Sequence, residues 1–132
     1  MVKAAASVNG MAERALPGFP DNLNRLLSLV CWIEDRSRGP QLVYFSLTGL
    51  AEAATEAGCP MSAKYTAMCA NGEIPSPAAV MVGAIADAFS ARTTVEVSPL
   101  LFFRPDVAAR TFDLLEFERS RLADQLRSAG TA

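Results

Sequence analysis

Apolar positions along the chain fall into helical stripes separated by short polar breaks. Leu23, Leu26, Leu27 and Val30 recur at i, i+3, i+4 and i+7, the spacing of one helix face. Pro20, Asp21 and Asn22 are residue types that open such a helix, and Trp32 and Ile33 extend its apolar run. The stretch Glu34-Asp35-Arg36-Ser37-Arg38-Gly39-Pro40 is then a polar loop closed by a Gly-Pro breaker. Gln41 to Phe45 is apolar and β-prone, enough for a short extended segment. Ser46 or Thr48 caps a second helix that places Leu47, Leu50, Ala51 and Ala54 on one face. Ala57-Gly58, with Pro60 just beyond, stops it.

Ser62 restarts the pattern as the cap of a short helix, Ala63 to Ala70, which ends at Asn71-Gly72. Ser76-Pro77 opens the next helix, expected to reach about Phe89 with Val80, Met81, Ala84, Ile85 and Phe89 turned inward. The β-branched run Thr93-Thr94-Val95-Glu96-Val97 predicts an extended connection or a weak short helix. Leu100 to Phe103, set between Pro99 and Pro105, is an apolar cluster that needs a cover. From Asp106 a long helix runs to about Arg127, with Phe112, Leu115, Leu122 and Leu126 in a seam that Arg119 interrupts. The predicted fold class is all-α, in three regions: an Ala/Gly/Ser-rich arm over 1–18, a helical domain over 19–95 and a C-terminal helical region over 96–132.

Composition narrows the chemistry. The 132 residues include no His, so Ser–His and Cys–His nucleophile pairs cannot form and the commonest general base is missing. No G-x-x-x-x-G-K-[ST], G-x-G-x-x-G or G-x-S-x-G motif is present. Cys31, Cys59 and Cys69 are odd in number and lack C-x-x-C spacing, so a closed four-ligand zinc site would need carboxylates. They are expected as reduced thiols. Neither an enzymatic activity nor a metal or cofactor is expected. No apolar window approaches the ~20 residues of a membrane span, and Met1 to Ala15 lacks the apolar core of a signal peptide. The expected location is the cytoplasm, away from membranes.

The most informative stretch runs from Leu47 to Phe89. Two short helices meet across Gly58-Cys59-Pro60-Met61, and a third follows the Asn71-Gly72 turn. Helix-turn-helix domains that read DNA have this layout. A short helix can enter the major groove only if its neighbours grip one face and leave the other bare. Small Ala51 and Ala54 allow a close helix crossing, Tyr65 and Met68 pack inward, and Ser62 starts a helix whose free amides suit a phosphate.

These residues resemble the lambda-repressor-like (Xre) helix-turn-helix family, and within it the EspR-type nucleoid-associated transcription regulators of actinobacteria. The matching positions are Asn22-Leu23-Asn24-Arg25-Leu26, Arg38-Gly39-Pro40, Glu56-Ala57-Gly58, Met61-Ser62-Ala63-x-Tyr65, Gly72, Pro77 and Ala86-x-x-Phe89. The resemblance implies binding of double-stranded DNA by a homodimer, and hence a place in the nucleoid. It makes residues 62–71 the recognition helix, puts Ser62, Ala63, Lys64 and Tyr65 at its groove-facing start, and puts Arg38 on backbone phosphate. Dimerisation is implied for the C-terminal region, where Phe112, Leu115, Leu122 and Leu126 are expected to meet a second copy. Packing of that seam on its own domain is the alternative.

The family carries Ser, Gln and Arg along the recognition helix and Arg after it, where this chain has Ala67, Met68, Ala70 and Ile74. Each missing bidentate base contact removes about 1–3 kcal/mol of discrimination. Between Ser46 and Phe89 only Lys64 stands against Glu52, Glu56, Glu73 and Asp87, a net −3. Phosphate contacts must then come from Arg25, Arg36, Arg38 and Arg92, with Arg14 in the arm. The apolar Ala67, Met68 and Ala70 surface supports a second expectation, a helix-turn-helix turned to binding a protein partner.

Overall fold

A computed structural model describes residues 18–131. The arm expected over 1–18, Arg14 included, lies outside the described residues apart from Gly18. The described chain forms α1 (Phe19–Leu29), β1 (Cys31–Arg36), β2 (Gly39–Tyr44), α2 (Leu47–Glu56), α3 (Ala63–Ala70), α4 (Ala79–Ser90), a 3-10 turn (Pro99–Phe102) and α5 (Pro105–Thr131).

The all-α expectation is corrected by the two strands, which form an antiparallel hairpin. Helix α1 stops at Leu29 because Val30 turns to extended geometry (φ −76°, ψ 114°). The aromatic and β-branched side chains of Trp32 and Ile33, expected to prolong the helix, instead face Val43 and Leu42 across the ladder. What looked like a polar loop is the hairpin end: Arg36 pairs with Gly39 around Ser37 and Arg38, and Gly39 takes the positive φ of 100° that the turn requires. The hairpin is fastened inward by an aromatic chain. Trp32 and Phe45 meet edge to face at 5.1 Å, and Phe45 and Phe89 at 5.4 Å.

A single core holds the helices. Phe19, Leu23 and Leu26 of α1 pack with Leu50, Val82, Ile85 and Phe89, and also with Leu101, Phe102, Phe112 and Leu115. Phe19 and Phe102 touch ring to ring at 4.8 Å, so the apolar cluster expected to need a cover is itself part of the core. The core therefore runs across the boundary expected near residue 95. Helix α4 starts at Ala79, two residues later than Ser76-Pro77 suggested, and Val80 points to solvent. The segment after α4 is irregular and is pinned by Ser90, whose hydroxyl accepts from the Val97 N–H at 2.9 Å and donates to the Val97 carbonyl at 3.0 Å.

Phe112 and Leu115 were expected in a dimer seam. They are 3% and 1% exposed and belong to this chain's own core, where the face they occupy closes over α1. Leu122 and Leu126 are half-buried. Arg119, which interrupts the seam, donates to the Ser28 carbonyl at 3.0 Å. No helix of the described residues is long and apolar enough to cross a membrane.

Candidate nucleic-acid interface

The α2–turn–α3 unit is built as the turn residues predict, with side-chain ties that spacing alone did not reveal. Ser46 caps α2, its hydroxyl accepting from the Gly49 N–H at 2.9 Å. Buried Ala51 and Ala54 let the neighbouring helices come close. Gly58 then takes φ 113°, a backbone region that side-chain-bearing residues avoid. Thr55 bridges the turn: its hydroxyl donates to the Ala51 carbonyl at 2.9 Å and accepts from the Met61 N–H at 3.0 Å. Behind the turn, the Cys59 and Met81 sulfurs lie 3.0 Å apart beside Ala54 and Ala84.

Helix α3 is capped by Ser62, whose hydroxyl accepts from the Tyr65 N–H at 3.1 Å. Two further anchors set its position. The fully buried Thr66 hydroxyl donates to the Leu47 carbonyl at the start of α2, 2.9 Å away. Asn24 of α1 donates to the Ala70 carbonyl at 2.7 Å and to the Pro20 carbonyl at 2.9 Å, holding the end of α3 against α1. Neither Thr66 nor Asn24 was singled out for this from the sequence. An internal Thr in an Ala-rich helix, and for Asn24 its place among the matching positions of the first helix, are the signals they leave.

Tyr65 packs partly into the core, and its hydroxyl pairs with the Cys69 thiol. Burial pushes both groups above their ordinary pKa values. Tyr65 is therefore a support for α3, half-hidden from a groove. Met68 is half-buried, while Ser62 and Lys64 are exposed at the first turn and Ala63 is partly so. Among the described residues Lys64 has no ion-pair partner.

The arginines do not converge on that turn. Arg25 pairs with Glu116 of α5 at 3.1 Å and lies 4.5 Å over the Phe112 ring, so it pins α5 to α1. Arg92 is similarly placed 4.5 Å over the Trp32 ring. Arg36 pairs with Glu34 at 3.3 Å, and the Glu34 carboxyl is held below its ordinary pKa mainly by the Trp32 indole N–H, 2.6 Å away. Arg38 is exposed at the hairpin turn. Glu52 and Glu56 of α2 line one cleft with Arg36 and Trp32, and a second with Met61 and Ala63. Among the described residues no basic stripe joins Arg25, Arg36, Arg38 and Lys64, a stripe that would favour DNA where scattered arginines favour a protein partner: Glu52 and Glu56 stand between the hairpin and α3, and Arg25 faces α5.

Among the described residues no group of three or more Cys, Asp or Glu is placed to hold a metal ion. No family model, curated protein or solved structure matches the chain.

Proposed function

We propose that this chain is a DNA-binding helix-turn-helix protein that sets the first turn of α3 into the major groove. The observation that supports it is the mounting of α3. Asn24, Thr66 and Tyr65 grip its inner side, while Ser62, Ala63 and Lys64 lie on the outer one. Lys64, Arg36 and Arg38 are the cations left to meet phosphate. Neutralising three phosphates gives a log-affinity against log-salt slope of roughly −3 on duplex DNA. Glu52 and Glu56 beside the docking turn repel phosphate and make the contact weak.

Anisotropy titration of labelled genomic duplexes over a range of salt tests this. Binding at low salt is expected, with Lys64→Ala weakening it and reducing the slope by about one. Failure to bind at low salt overturns the reading.

A second reading has its own observation. The groove of about 490 Å³ between α2 and α3 is lined by Thr48, Ala51, Glu52, Thr55, Glu56, Met61 and Ala63, two carboxylates over an apolar floor with no cation. That suits a basic peptide. Replacing Glu52 and Glu56 together by Gln separates the readings: it should tighten DNA binding and weaken capture of a lysine-rich peptide.

A further inference from the structure

A cleft of about 320 Å³ opens where the start of α1, the 3-10 turn and the first turns of α5 meet. It shares no lining residue with the α2–α3 groove or with the cleft beside Trp32. Its size is at the lower end of the range for small-molecule sites. Its walls are apolar. Phe112, 3% exposed, supplies the floor, and Phe103 and Ala109, both exposed, form the rim.

The guanidiniums of Arg25 and Arg104 line the same cleft, and among the described residues no carboxylate does. Their acidic partners, Glu116 and Asp106, stand outside the lining. Neither arginine is exhausted by its partner. Arg25 gives Glu116 one bond from Nη2 at 3.1 Å, and Arg104 gives Asp106 bonds from Nε and Nη2 at 3.2 and 2.8 Å. A guanidinium carries further N–H donors, so each arginine keeps Nη1 for another acceptor. Asn22 adds a half-buried amide that makes no side-chain hydrogen bond among the described residues.

Two cations and an amide over an apolar floor complement one kind of molecule, an anionic head on an apolar body. A carboxylate matches the guanidinium N–H groups in geometry and charge. A flat ring would cover Phe112 and the open edge of Phe103. An inorganic anion would leave the apolar walls wet, and a neutral ligand would leave the arginines unmatched.

We propose that this cleft binds a small aromatic carboxylate, with its carboxyl group on Arg25 and Arg104 and its ring against Phe103 and Phe112. The occupant bridges α1 and α5 and adds to the closure that the Arg25–Glu116 pair makes. The site stands independently of the DNA-binding reading, because none of its residues belongs to α3 or the hairpin.

Calorimetric titration of the full chain with phenylacetate, without DNA, tests this. One-to-one binding is expected with a Kd of about 1 mM or tighter, a range open to a ligand of roughly ten non-hydrogen atoms. Phenylacetamide, which keeps the ring and loses the charge, should bind about tenfold more weakly. Backbone amide shifts of the ¹⁵N-labelled chain should move at Phe103, Arg104 and Ala109. Arg104→Gln should weaken binding about fivefold and leave the thermal melt unchanged, because its pair with Asp106 is exposed. Ala109→Phe, which fills the cleft from the exposed face of α5, should abolish it. No saturation up to about 10 mM, equal affinity for phenylacetamide, amide shifts centred away from this cleft, or full binding in both variants would each overturn the proposal.

Discussion

Arg119 sits within the apolar stripe of α5 and sends its guanidinium to the Ser28 carbonyl, near the end of α1 where backbone acceptors lack helical partners. Such single side chains join the pieces of the molecule, and their ionisation sets how it responds to pH. Glu34, Asp106 and Glu118 are held below their ordinary pKa, first by the hydrogen bonds from Trp32, Arg104 and Arg121 respectively. Depressed carboxyls stabilise the fold above their unfolded values, about 4, and lose that contribution as pH falls through their folded ones. Asp106 is exposed and Glu34 partly so, which keeps their share small; the Glu118 side chain is only 13% exposed. Cys31, Cys69, Tyr44 and Tyr65 are shifted upward, chiefly by burial. Raised groups favour the fold fully below their unfolded values and cease to do so as pH rises through the folded ones. Thermal melts should therefore stay level from neutral pH to about 8.5, the ordinary thiol value, and fall clearly above it, more steeply than on the acid side. A melting temperature that holds constant well into the alkaline range would contradict this.

Elements with sharp punctuation were legible in the sequence. Ser46, one of the two candidates with Thr48, caps α2, Ser62 caps α3 as expected, Gly58 and Gly72 follow them with positive φ, and Ala51 and Ala54 are buried at the crossing. The hairpin was half legible: Gln41 to Phe45, expected to be extended, supplies most of β2, whereas β1 was hidden because Leu23 to Val30 sets a helical rhythm that the apolar Trp32 and Ile33 continue. Only cross-strand pairing with Leu42 and Val43, which helical periodicity cannot register, overrides it. The candidate interface was half legible: Ser62 and Lys64 fall where expected, while Arg25 was diverted by Glu116 and Phe112, partners 91 and 87 residues away. The turn supplies a test at this scale. Gly58 has open space around its Cα, so any cost of Gly58→Ala comes from its φ of 113° alone. A loss of about 1–2 kcal/mol is expected for forcing a Cβ into that region, read as a lower urea midpoint with an unchanged slope. A neutral result would show that the turn can re-form with negative φ.

At the scale of the whole molecule, the chain is closed by its far end. Ala108, Phe112 and Leu115 of α5 complete a core begun by Phe19, Leu23 and Leu26 of α1. The region from α1 to α4 thus shares its core with α5. A chain ending at Arg104 would expose the inner faces of α1 and of Leu101 and Phe102, losing three buried side chains at about 2–5 kcal/mol for each large one. That exceeds much of a small domain's stability, so the truncated chain should lack a cooperative melt. A cooperative transition in this fragment would instead place the domain boundary near residue 95.

The same closure bears on how the protein comes to be made. The Arg25–Glu116 pair spans 91 residues, so on the ribosome α1 emerges long before the helix that covers it. The part of its apolar face that meets Phe112 and Leu115 must wait until α5 arrives, and exposed surface of this kind invites aggregation. The hairpin, whose strands are local neighbours, can form during that interval. Synthesis order therefore leaves the first described helix incompletely covered until α5 is made.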